Sequence, residues 1–169
     1  MPALRSAVFV ALLTVAGCGD AGRPENPPVG PSVTAPAKPG PGGASRQEQQ
    51  MKISITIGGE RFSATIQDSA AGRDLVAQLP LTIDMTDHGS VEKTGPLPSP
   101  LSLAGQPDGA DPEVGDVGYY APGNDFVLYY GDQSYFPGIV IIGRLDGDAA
   151  GRIAGLEGAV TATVDVYAP

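Results

Sequence analysis

The sequence predicts an all-β domain, a small closed antiparallel barrel carrying one or two short helices. Three observations predict it. Some seven or eight short runs between Met51 and Pro169 alternate apolar and polar residues, the two-residue period of strands with one face on a core. A single stretch carries a convincing helical period. Turn residues separate the runs, and closing such a sheet is the simplest way to leave no edge strand exposed.

The domain is preceded by fifty residues of another character. Residues 1–17 join a positive start (the amino terminus and Arg5) to an apolar run from Ala7 to Ala16. That is the pattern of a secretory signal, too short for a helix across a bilayer core of about 30 Å. Cys18, the chain's one cysteine, follows directly, and a lone cysteine in an exported protein has no internal disulfide partner. Val15-Ala16-Gly17-Cys18 resembles the bacterial lipobox, whose cysteine receives a diacylglycerol and becomes the first mature residue. The competing reading is an ordinary signal cleaved nearby. Two acyl chains, at about 0.8 kcal/mol per buried methylene, make a stable anchor where one chain does not. The expected location is therefore extracytoplasmic, with the protein held to the bacterial cell membrane by lipid on Cys18.

Residues 18–50 comprise this cysteine and a Pro/Gly-rich spacer without apolar periodicity. Such a composition buries too little surface to offset its ordering entropy. As a tether it spans between roughly 30 Å as a coil and about 100 Å as a polyproline-like rod. From Met51 onward there are six basic and sixteen acidic residues, a net charge of −10. An acidic domain lacks the electrostatic footprint for nucleic acid or anionic lipid, so membrane contact is expected through the acyl group alone.

Within the domain, Lys52 to Ile57 and Arg61 to Ile66 alternate around Gly58-Gly59, a hairpin signal because both glycines accept positive φ. Asp68 and Ser69 offer N-cap oxygens to a short helix with Leu75, Val76 and Leu79 on one face, closed by Pro80. Gly72 weakens that helix. Leu81, Ile83 and Met85 restore the strand period until His88-Gly89-Ser90 turns the chain. Gly95 to Pro112 is too rich in Pro and Gly for a central strand, with Leu97, Leu101 and Leu103 expected to pack beneath it. Strands follow near 114–121, 125–131 and 138–145, and a last one over 159–167. Residues 119–136 hold seven of the chain's ten Phe and Tyr residues. Alternation assigns Phe126 and Tyr130 to the core and leaves Tyr129, Tyr135 and Phe136 exposed as candidate ligand contacts.

Several stretches together carry a resemblance. Ile53 to Gly59, Leu79-Pro80-Leu81, Gly115 to Asn124, Tyr129-Tyr130-Gly131 and Ile142 to Asp146 look like the bacterial cyclophilin-like fold family, in order and across essentially all of 51–169. The resemblance implies a closed barrel of the cyclophilin type and marks Tyr120 and Tyr130 as structural pattern positions. Genuine cyclophilins isomerise prolyl bonds with an Arg in a Phe-His-Arg stretch, which hydrogen-bonds near the prolyl nitrogen and weakens amide resonance. No Phe-His-Arg occurs here, so no catalytic residue is carried over.

The remaining chemistry-bearing residues are few. His88, the sole histidine, reads as an exposed turn residue, and any histidine triad or multi-histidine metal site would have to pass through it. Asp146 to Glu157 carries acidic residues at loop positions 1, 3 and 12 and Gly at 6, as a calcium loop does. Its Ala150 and Ala154 and its strand flanks favour a helical turn instead. Arg144 closes an apolar strand, either facing the barrel mouth as a ligand-binding cation or pairing with Asp146 or Asp148. No metal site, phosphate loop or dinucleotide fingerprint is present, and no cofactor is expected. The function that follows is a non-catalytic module binding an extended peptide or a protein through Tyr129, Tyr135, Phe136 and Arg144. The alternatives are a prolyl isomerase or chaperone for exported proteins with an unconventional site, and a small-molecule carrier.

Overall fold

The computed structural model describes residues 51–168; the signal segment, Cys18 and the spacer lie outside them. Ten strands and two helices follow in order among the described residues: β1 (Met51–Ile57), β2 (Glu60–Ile66), α1 (Ala70–Ala77), β3 (Leu81–His88), β4 (Glu92–Pro96), β5 (Gly109–Ala110), β6 (Asp116–Tyr120), β7 (Asp125–Tyr129), β8 (Phe136–Pro137), β9 (Ile139–Leu145), α2 (Ala149–Ala154) and β10 (Val160–Val166). Eight strands close a barrel in the order β1-β10-β3-β4-β7-β6-β9-β2, and every adjacent pair is antiparallel. The all-β closed barrel expected from periodicity is the observed fold.

The local signals account for most of the wall. Gly58 and Gly59 both take positive φ and join β1 to β2, whose Ile53, Ile55, Ile57, Phe62, Ala64 and Ile66 are buried. Ser69 caps α1 by accepting from the Gly72 amide at 3.0 Å. Gly72, which weakens the helix by propensity, is required there: a Cβ would stand 2.1 Å from the Gln67 carbonyl oxygen. Alternation along β3 and β10 buries Leu81, Ile83, Met85, Ala162 and Val164. The core carries residues from every barrel wall strand except β4, plus α1 and α2, all between Ile53 and Val164. A closed sheet with a complete core of its own is expected to fold without the segment before Met51.

Three expectations are corrected. The first concerns the start of the stretch Gly95 to Pro112, expected to hold no central strand: Gly95-Pro96 close β4, which sits between β3 and β7 in the barrel, whereas residues 97–112 add no barrel strand. The inner face of β4 carries Lys93, which is 0% exposed. The lysine ammonium donates to Asp87 Oδ1 at 2.6 Å and to the Gly158 carbonyl at 3.1 Å. Asp87 also accepts from the Tyr130 hydroxyl and the Gly158 amide, each at 3.0 Å. This network joins β3, β4, the end of β7 and the turn before β10 where hydrophobic packing runs out.

The second correction concerns Leu103. Leu97 and Leu101 are buried as expected, but Leu103 is 51% exposed. The excursion is held upstream of it by hydrogen bonds: the Leu101 amide donates to Tyr119 Oη, Tyr119 Oη to Asn124 Oδ1, and Asn124 Nδ2 to the Leu97 carbonyl. The third concerns Arg144. It pairs with neither Asp146 nor Asp148 but with Asp116 at 2.7 Å and Glu113 at 3.5 Å. Asp146 instead accepts from Lys52 and Thr65.

Candidate functional site

Strand register explains how a site forms on the outside of the barrel. Glu92 stands opposite Tyr129, Thr94 opposite Val127 and Pro96 opposite Asp125, while Tyr120 opposes both Asp125 and Ile139. The inward partners of these rows are Lys93, Leu128 and Phe126. Glu92, Thr94, Tyr129, Tyr120 and Ile139 therefore share the outer face of four adjacent strands. That face is covered in turn: β5 and β8 pair as a separate two-stranded ribbon, and Val127, Tyr129 and Ile139 form a second buried cluster with Ala110, Tyr120 and Ile141 around it.

Between ribbon and wall lies a cleft of about 260 Å³, lined by Tyr120, Tyr129, Phe136 and Ile139 on its apolar side and by Glu92, Asp125, Thr94, Gln133 and His88 on its polar side. The rings of Tyr120 and Phe136 are 6.0 Å apart and inclined at 58°, a tilted pair within the centroid spacing at which aromatic rings attract. Burial pushes the Glu92 and Asp125 carboxyls above the ordinary range. Burial also raises the Tyr129 hydroxyl, and the Glu92 carboxylate beside it raises it further. The phenol thus stays protonated and neutral across the working pH range.

The structure brings together two of the four candidate ligand residues, Tyr129 and Phe136. Tyr129 differs from expectation, being 1% exposed, because the β5–β8 ribbon covers the strand face that alternation alone leaves open to solvent. Phe136 is 50% exposed and forms the outer lip. Tyr135 is also exposed but leans on β5, where its hydroxyl would meet any Cβ added at Gly109. Arg144 lies apart, in an open groove of about 460 Å³ with Thr65, Gln67, Asp116 and Asp146. That groove balances its own charge through the Arg144–Asp116 pair, so the cleft is the better candidate.

Sequence reasoning missed Glu92, Asp125 and Tyr120. Recognising β4 would have exposed the first, since two-residue alternation puts Glu92 and Thr94 on one face, which the register sets against Tyr129 and Val127. His88, read as an exposed turn residue, is exposed at the end of β3 and reaches the rim of the cleft. The loop from Asp146 resolves into α2, with Asp148 at its N-cap. Among the described residues no group of three or more His, Cys, Asp or Glu side chains is arranged to hold a metal ion.

A closed barrel of this topology defines a class of fold, and comparison with known proteins agrees on the fold. Residues 55–165 match the model of the cyclophilin-like family, and the chain belongs to that family. Among solved structures it is similar to the solution structure of the hypothetical protein AF2241 from Archaeoglobus fulgidus. The identity is 16%, the match covers 73% of this chain and 99% of that one, and the TM-score is 0.54; the likeness is one of fold. No protein of curated function matches the chain.

Proposed function

We propose that this protein is a lipid-anchored, extracytoplasmic binding module that holds an extended peptide segment of a partner in the cleft over β4, β7 and β6, without performing chemistry on it. The observation that carries the reading is the cleft itself, with Tyr120 and Tyr129 as aromatic walls beside polar groups and an exposed aromatic lip at Phe136. Its volume of about 260 Å³ falls below the roughly 300–1,000 Å³ usual for whole small-molecule sites. That size suits one or two side chains of a longer ligand better than a carried metabolite. A prolyl isomerase reading lacks its cation: among the described residues no Arg lines the cleft, Arg144 is paired with Asp116, and Arg61 lies in a third groove with Ser54 and Asp165.

The test is fluorescence anisotropy of a labelled pool of random decapeptides with the 51–169 domain. Saturable binding that Phe136→Ala weakens roughly tenfold supports the reading. Acceleration of prolyl isomerisation, abolished by Arg144→Ala or Arg61→Ala, would replace it with the catalytic alternative. A ligand retained in native mass spectrometry would favour a carrier.

The anchor rests on the lipobox-like stretch Val15-Ala16-Gly17-Cys18. Cys18→Ser is expected to move the protein from the membrane fraction to the soluble one and to remove the mass of the lipid. Persistence in the membrane fraction at unchanged mass would overturn the anchor and leave the cleft reading untouched.

A further inference from the structure

We propose that the cleft selects a basic side chain, Lys or Arg, of an extended peptide, its cationic head between Glu92 and Asp125 and its stem against Tyr120, Tyr129 and Phe136. The inference rests on the peptide-binding reading above and adds the ligand's chemistry. Glu92 is 9% exposed, and its carboxylate lines the cleft beside the Tyr129 hydroxyl. A buried carboxylate is costly unless a cation faces it. Apart from His88 at the rim, the described residues supply none: their ion pairs commit Lys52 to Asp146, Arg73 to Asp68, Lys93 to Asp87, Arg144 to Asp116 and Arg152 to Glu60. Arg61, the sixth basic residue of the domain, lines the groove of Ser54 and Asp165.

A cationic ligand answers this arrangement in three ways. It neutralises Glu92 and Asp125 where burial disfavours their charge. Aromatic walls attract it through their ring quadrupoles while accepting the apolar stem of Lys or Arg. The net charge of −10 on the domain draws basic segments toward it. An acidic side chain in the same place would meet two carboxylates, so discrimination comes from repulsion as well as attraction.

The test is a titration of the isotope-labelled 51–169 domain at pH 7.5, followed by amide NMR shifts. The probes are acetylated, amidated pentapeptides Gly-Ala-X-Ala-Gly, with X as lysine, arginine, norleucine or glutamate, together with butylamine. The lysine and arginine peptides are expected to shift the amides of Thr94 and Tyr129 with roughly tenfold better affinity than the norleucine peptide. Glu92→Gln is expected to erase that difference, with Asp125→Asn as a second variant. Equal binding of lysine and norleucine peptides at the cleft would overturn charge selection and leave the peptide site standing. Butylamine binding as tightly as the lysine peptide would make the occupant a free amine. No response at the cleft to any probe would overturn both the inference and the peptide reading.

Discussion

Asp87→Ala is expected to destabilise the domain by about 3 kcal/mol, because it strands the ammonium of Lys93 inside the barrel. Breaking a buried ion pair from one side costs roughly 3–5 kcal/mol. The lower end applies because the Asp87 side chain is itself 32% exposed, which gives water a route toward the orphaned charge. The same substitution removes the acceptor for the Tyr130 hydroxyl and for the Gly158 amide. Urea unfolding monitored by circular dichroism should show a lower midpoint at unchanged slope. A loss under about 1 kcal/mol would mean that the network behaves as an ordinary surface ion pair.

The network also predicts a pH dependence. The hydrogen bond from Lys93 is the chief cause holding the Asp87 carboxyl below its ordinary range, against the opposing effect of burial. A depressed folded-state value means that the native protein binds fewer protons than the unfolded chain, whose aspartate titrates near 3.9. The contribution is therefore fully present above about pH 4 and is lost as pH falls through the lower folded value. The Asp87→Ala domain should lack this part of the acid transition.

Gly95→Ala is expected to cost about 3 kcal/mol, at or above the usual limit for overpacking. A Cβ on Gly95 would stand 2.4 Å from the Asp84 carbonyl oxygen and 2.7 Å from Ile83 Cγ2. The first obstacle is backbone, so no rotamer change relieves it. The strand pairing of β3 with β4 runs only from Thr86–Thr94 to His88–Glu92, and beyond it the two strands cross closely at Gly95. A thermal midpoint lowered by on the order of 10–15 °C is the expected result. A midpoint within 2 °C of the parent domain would show that β3 moves aside at no cost.

Gly95 also explains why the fold was only partly legible in the sequence. A glycine followed by proline argues against a central strand, because neither residue packs or pairs well there. The argument fails where close approach of a neighbouring strand demands the absence of a side chain, and no local pattern reports such an approach. Lys93 escaped for a related reason: a lysine on an inner face breaks alternation unless Asp87 and Gly158, 6 and 65 residues away in the chain, are known to meet it. Tyr129 and Phe136 were legible as candidates by type, whereas Glu92 and Asp125 became part of a site only when β4 and β7 were set side by side.

The sequence by itself determined the class of fold, the strand order in time and the inner face of most strands. Those are properties of local period, and apolar residues two apart must share a side of any strand they form. Glycine pairs and the Ser69 cap likewise act over a few residues. Tertiary structure alone decided which outer face is covered and which stays open. Residues 119–136 read as an aromatic run with Tyr129, Tyr135 and Phe136 exposed. The folded domain buries Tyr129 beneath the β5–β8 ribbon, leaves Phe136 as a lip and sets two carboxylates opposite, because coverage depends on chain segments distant in sequence.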